Sequence, residues 1–207
     1  MTSLPVDDYC SSSFESSEVL SAWGVALTIV TALVFLLALL SVGCSATYPR
    51  QDPVGEVFPV VRGNSLDDRE VRIPRDFAGN ETLLLIGYEM DSQFDIDRWL
   101  LGLNQAGVVV PTYELPTIRG LVPGLISGVI NDGMRSGIPS EDWAIVLTIY
   151  QDAEVVAAFL GNEIPLPARV VLLDQSGRVV FFHDRGYSTS TLLQLKNELE
   201  QIRSGRK

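Results

Sequence analysis

The side chains that could do chemistry are few in this sequence and widely separated. Its single histidine, His183, is followed by Asp184 and Arg185. An imidazole with a carboxylate nearby is the arrangement of a general base, and equally that of a strand-end residue in a polar loop. The two cysteines, Cys10 and Cys44, flank an uncharged apolar run and have no metal-binding or redox spacing, which excludes a disulfide framework and a zinc cluster. Asp95 with Asp97, and Asp67 with Asp68, are carboxylate pairs of the kind that hold a cation or share a proton, and also of the kind that lie solvated on a surface. Gly120, Gly124, Gly128 and Gly133 recur at four and five residues without a following lysine, a spacing for close helix packing and not for cradling a phosphate. No serine stands in a nucleophile motif. The expectation from these residues is a protein that is not an enzyme and requires no cofactor and no metal.

Composition narrows the partners. The 207 residues carry a net charge of -11 with only two lysines, Lys196 and Lys207, which argues against a nucleic-acid surface. With 46% hydrophobic residues the chain can bury a full core, and its length suits one domain with appendages.

The elements that must position these residues follow in order. Residues 1–21 are rich in serine, acidic and free of Lys and Arg, and are read as a disordered tail. Ala22 to Val42 is uncharged, and 21 residues at a rise of about 1.5 Å reach about 30 Å, enough to cross a bilayer; residues 22–43 are therefore read as a transmembrane or signal segment. Ser41-Val42-Gly43-Cys44-Ser45 resembles a bacterial lipoprotein cleavage box, which would lipidate Cys44, although Ser41 stands where leucine is usual. Lipidation implies an exported domain in a bacterial envelope; an uncleaved helix followed by Arg50 and Arg62 implies a cytoplasmic one. Residues 44–74 read as a linker, proline-rich from Thr47 to Asn64, with a short edge strand within Ser65 to Pro74.

From residue 75 onward apolar runs alternate with helical periodicities. Thr82–Tyr88, Val108–Tyr113 and Ala144–Tyr150 read as strands. Helices are expected from Asp91 or Ser92 to Gly107, over Leu121–Met134, over Ala153–Leu160, and after Ser188 or Ser190. Val170–Leu173 and Val179–Phe182, joined by Asp174-Gln175-Ser176-Gly177, form a hairpin whose unalternating apolar runs require cover on both faces.

A proline, a hairpin with Asp-x-x-Gly at its turn and a terminal helix, all following alternating strands and helices, resemble the thioredoxin superfamily, especially its peroxiredoxin and membrane-tethered thiol-reductase branches. The resemblance covers Thr82 to Arg203. It implies an α/β fold, a thioredoxin-like central mixed sheet with helices on both faces, here preceded by an N-terminal membrane-anchor helix. It also implies a cis bond at Pro167 and an active-site motif near Met90 to Gln93, where no cysteine stands. A more distant similarity, to the mitochondrial F-type ATP synthase assembly factors, rests on Glu114-Leu115-Pro116, on Met134 to Pro139 and on the hairpin with Gly186. Without a thiolate the family's redox chemistry is lost. The expectation is a binding or assembly module with a probable protein partner at the membrane. Its contact edge would gather Tyr88, Glu89, Met90, Asp91 and Gln93 with Leu166, Pro167 and Tyr187. The alternatives are an enzyme with a non-thiol site near His183 and Pro167, or a thioredoxin-like lipoprotein of the cell envelope.

Overall fold

The computed structural model describes residues 30–31, 46–120 and 123–205; the acidic tail, Cys44 and all of the apolar run but Val30 and Thr31 lie outside them. Among the described residues no helix is long and apolar enough to cross a membrane. The unit from Ser45 to Lys207 is a compact body by itself.

Its centre is a four-stranded mixed sheet in the order β4-β3-β6-β7. β3 (Thr82–Gly87) runs parallel to β4 (Thr112–Pro116) and antiparallel to β6 (Arg169–Leu173), which forms a hairpin with β7 (Val179–His183). Every residue of β3 and β6 is buried, because their unalternating apolar sequences place one side chain in two on each face and both faces are covered. Leu84, Ile86, Val171 and Leu173 join one core with Val156 and Leu160; Leu83, Leu85, Val170 and Leu172 join the other with Trp99, Leu195 and Leu199. The second face is closed by α1 (Gln93–Gln105) and α4 (Thr189–Arg203). α4 starts at Ser188, whose hydroxyl accepts the Thr191 amide. The first face carries α3 (Ala153–Leu160). α2 (Pro123–Gly137) is held by Asn131, which accepts the Tyr150 hydroxyl (2.6 Å), and by Arg135, which donates to the Leu66 carbonyl (2.7 Å), with Ile130 and Met134 half-buried beside them. The hairpin turn is fixed as its residue types require. The Asp174 carboxylate accepts the amides of Ser176 and Arg178, and Gly177 takes φ +81°.

The stretch read as a linker is folded onto this body. β1 (Val61–Ser65) and β2 (Glu70–Ile73) pair antiparallel, and β1 pairs with β5 (Leu147–Thr148) in a three-stranded sheet with β2 at its edge. Two parallel bridges, Glu114 to Val146 and Thr117 to Ile149, carry the hydrogen bonding on from β4. Phe58 is buried against Phe159, and the backbone from Gly55 to Phe58 pairs with Gly177 and Val179 at the hairpin. Further upstream, residues 46–50 form a strap. Tyr48 donates its amide to the Asn162 side chain (2.6 Å) and accepts the Asn162 amide (3.1 Å), while Arg50 binds Asp184 (2.8 Å). Prolines and the lack of periodicity conceal this packing, because each contact is with a residue about a hundred positions away.

Gly161 makes the strap possible. Its φ is +76°, and a Cβ there would stand 2.5 Å from the Pro49 carbonyl oxygen. Gly161→Ala is therefore expected to cost about 1–2 kcal/mol and to release the strap. Hydrogen exchange should show lost protection at Tyr48 and Asn162 with the sheet amides unchanged; retained protection at both would contradict this account.

Candidate functional site

The carboxyl ends of β3 and β4 and the amino end of β6 meet at one edge of the sheet, where a ligand of an open α/β fold would sit. After Gly87 the chain runs through extended Glu89 into a single 3-10 turn, Met90–Ser92, and on into α1. Ser92 is buried; its hydroxyl accepts the Glu89 amide (3.4 Å) and donates to the Pro165 carbonyl (3.5 Å), joining this turn to the loop before β6. Gly87 leaves room for it, since a Cβ there would lie 3.1 Å from that of Ser92.

Two buried charged residues organise the edge. Arg169, 2% exposed, turns back from the first position of β6 and donates to the carbonyls of Ile164 (2.6 Å), Pro165 (3.1 Å) and Pro167 (2.7 Å). Its guanidinium lies 4.5 Å from the ring centroid of Tyr88, a cation-π contact. Burial lowers the Arg169 pKa, against the opposing fields of Tyr88 and Asp184. Burial pushes the Tyr88 phenol up, against the charges of Arg169 and Arg119. On the other side of the loop, Asp95 accepts the Ala168 amide (3.1 Å) with one oxygen and the Tyr187 amide (2.8 Å) with the other. Asp95 thus belongs to the frame of the edge and is not the solvated surface charge its sequence context suggests.

The expected contact residues divide accordingly. Glu89, Met90, Asp91 and Leu166 are exposed at the edge, and Met90 is the extreme case at 91%. Two further apolar side chains, Ile164 and Phe94, stand exposed on the same loop and on the first turn of α1; the spacing of Phe94 with Ile96, Trp99, Leu100 and Leu103 reads as one apolar stripe on the sheet, but Phe94 is left outside it at the start of the helix. Tyr88 is half-buried beneath Arg169, with its hydroxyl 3.4 Å from the Val156 carbonyl. Gln93 is spent internally, its amide donating to Asp97 and Glu114 (both 3.0 Å); burial is the main cause that raises the Glu114 carboxyl pKa. Tyr187 packs edge-on against Trp99 and over Gly102, where a Cβ would lie 2.6 Å from its ring, so it belongs to the core side of α1 and not to the edge.

Pro167 requires a correction. The cis X-Pro bond among the described residues joins Ile73 to Pro74, and the bond before Pro167 is not cis. Four backbone groups of the loop are also taken up internally. Arg169 takes the carbonyls of 164, 165 and 167, and Asp95 takes the amide of 168. What this edge offers a partner is side chains.

The other candidates for chemistry are accounted for by internal contacts. His183 Nε2 lies 2.8 Å from the Gly186 carbonyl and its ring stands edge-on to Trp99, while Asp184 is turned to Arg50. Asp67 binds Ser65 and Arg69, and Asp68 binds Arg135 (2.6 Å). A cleft of about 290 Å³ opens beside Arg50, Leu160, Ile164, Arg169, Asp184 and Arg185; Arg169 Nε and Asp184 Oδ1, both buried, have no hydrogen-bond partner.

A central mixed sheet with this strand order, two helices on one face and the closing hairpin and helix define a thioredoxin-like fold. Solved structures agree. An SCO1/SenC family lipoprotein from Bacillus anthracis superposes with a TM-score of 0.51 at 9% identity, over 75% of this chain and 99% of that one. Copper-bound yeast Sco1 gives 0.50 at 13% identity, over 72% and 94%. BsSco, described as a member of the Sco family of cytochrome c oxidase assembly proteins, gives 0.50 at 12%, over 73% and 95%. No protein-family profile matches the sequence, and no curated protein resembles it. The copper of the yeast protein meets no fitting donor set here: among the described residues no three His, Cys, Asp or Glu side chains converge, and both cysteines precede the folded body.

Proposed function

We propose that this chain is a membrane-tethered, redox-inactive thioredoxin-like domain that serves as a binding or assembly module for another protein at the membrane, with its folded body on the extracytoplasmic side. The observation that carries the reading is the edge itself. Where the fold performs thiol chemistry this chain has Met90, Asp91, Ser92 and Gln93, and it exposes Met90, Phe94, Ile164 and Leu166 on two loops tied together by Ser92. Exposed apolar side chains on a rigid frame make a protein-contact surface, and methionine adapts to a partner at little cost. The tether is supported by the uncharged run from Ala22 to Val42 and by Cys44. The extracytoplasmic side and the assembly role are favoured by the company of a lipoprotein and of an assembly-protein family among the structural neighbours. The alternative, an enzyme near His183, receives no support from a histidine bonded to a backbone carbonyl beside a carboxylate paired with Arg50.

The test is capture from detergent-solubilised membranes with the full chain as bait. Met90→Asp combined with Leu166→Asp should weaken recovery of the specific partner about tenfold or more while leaving the melting temperature nearly unchanged, because neither side chain carries the core. The purified domain should neither reduce insulin nor consume peroxide. Undiminished capture by the double variant, or thiol-dependent turnover, would refute the proposal.

A further inference from the structure

The cleft beside the strap holds two unmet hydrogen-bonding groups of opposite kind. Arg169 Nε is a donor and Asp184 Oδ1 an acceptor; both atoms are buried, both residues line the cleft, and neither atom has a partner among the described residues. The other atoms of these groups are spent. The terminal nitrogens of Arg169 donate to the carbonyls of 164, 165 and 167, and Asp184 Oδ2 accepts from Arg50. A buried polar atom left unpaired is costly, and a donor and an acceptor left so on one cleft mark a place for a molecule that supplies both partners. One water could bridge them, but the cleft of about 290 Å³ is many times the volume of about 15 Å³ that a water needs.

The cleft is also locally cationic in an acidic protein. Arg50, Arg169 and Arg185 outnumber Asp184 and Glu163 on its walls, whereas the whole chain carries a net charge of -11. Arginine forks match a carboxylate in both charge and geometry. Arg50 gives Nε to Asp184, its two terminal nitrogens make no hydrogen bond among the described residues, and its side chain is 47% exposed. It can therefore receive an anion, and it is the part of the wall best able to yield. Such yielding is required, because neither unpaired atom is open to solvent. Leu160 and Ile164 give the cleft an apolar side.

From the paired vacancies on Arg169 and Asp184 and the arginines around them, we infer that the cleft binds a small aliphatic acid whose carboxylate is flanked by a hydrogen-bond donor, an α-amino or α-hydroxy acid. The carboxylate accepts from Arg169 Nε and from the terminal nitrogens of Arg50, the α-substituent donates to Asp184 Oδ1, and the aliphatic chain lies against Leu160 and Ile164. This site goes beyond the protein-contact reading, since it needs neither the tether nor a protein partner.

The experiment is calorimetric titration of the full chain in detergent with four probes on one carbon skeleton: leucine, leucic acid, isocaproic acid, which lacks the α-substituent, and leucinamide, which lacks the carboxylate. Leucine, leucic acid or both should bind at least about tenfold more tightly than isocaproic acid and leucinamide, and which of the two binds decides between an ammonium and a hydroxyl as the donor. Asp184→Asn keeps the size of the side chain without its charge and should cut the affinity of that ligand by about tenfold. The probe series on the unaltered chain decides the question if that variant fails to fold. Isocaproic acid or leucinamide binding as tightly as the α-substituted acids would overturn the inference, and so would an affinity unchanged in Asp184→Asn. Absence of binding by all four probes at about 10 mM would overturn it too, and would leave the two buried atoms to water.

Discussion

Replacing Arg169 by alanine is expected to destabilise the folded body by about 3 kcal/mol, since it strands two carbonyls, weakens the bonding of a third and leaves a cavity beneath the loop. The carbonyls of Ile164 and Pro167 have no other donor among their described contacts, Pro165 keeps only the long bond from the Ser92 hydroxyl (3.5 Å), and Tyr88 loses the guanidinium above its ring. The charge itself contributes little: burial lowers the Arg169 pKa and its Nε has no partner. Arg169→Met, which fills the volume without donors, should recover about 1 kcal/mol of the loss, the part owed to packing. Arg169→Lys should recover little more, because one ammonium on a flexible stem cannot span three carbonyls held by a planar fork. Urea denaturation of the three variants gives the ranking, and hydrogen exchange gives the locus, with new exposure confined to residues 164–168. A loss below about 1 kcal/mol for the alanine variant would mean that the loop is held by its prolines alone. Capture of the proposed partner should fall with loop order even though Arg169 itself is buried, because Ile164 and Leu166 stand on the segment it fixes.

The parts of the fold written as local patterns were legible from the sequence. β6 and β7 are uninterrupted apolar runs around an Asp-x-x-Gly turn, and the Asp174 carboxylate accepts the very amides such a turn leaves open. α3 spans the expected residues, and Gly107 ends α1 with φ +63°. Edges were less legible. β4 begins at Thr112, four residues after the apolar run starts: the Leu83 amide donates to the Pro111 carbonyl, and Val108 to Val110 pass outside the ladder. β1 could not be read at all: Val61, Gly63 and Ser65 are its buried residues, and only one of them is apolar. Of the residues expected at the contact edge, Glu89, Met90, Asp91 and Leu166 stand exposed together, yet the two residues that organise this edge were invisible. A single arginine before an apolar run and a single aspartate on a helix look solvated in any window. Their burial follows from partners about seventy residues away for Asp95, and from a backward turn of the side chain for Arg169.

The largest effect outside Arg169 is expected at Asp95. Its two oxygens each accept one amide, from Ala168 at the head of β6 and from Tyr187 at the approach to α4, so one carboxylate on α1 ties both ends of the hairpin segment to the helix. Asp95→Ala leaves one buried and one half-buried amide without acceptors and should cost about 3–4 kcal/mol, with exchange protection lost at both amides. Asp95→Asn separates shape from chemistry. The carboxamide fits the same space but keeps one acceptor and turns a donor toward the second amide, which should cost about 2 kcal/mol and expose one amide selectively. Asp95→Glu restores both oxygens on a longer arm and should fall nearer the alanine variant, since the added methylene carries the carboxylate away from the point where both amides converge. Chemical denaturation with amide exchange at residues 168 and 187 resolves the three cases. If Asp95→Asn were neutral, or if the two amides stayed protected in Asp95→Ala, Asp95 would not be the tie between α1 and the contact edge, and the rigidity of that edge would have to come from Arg169 and the Ser92 hydroxyl alone.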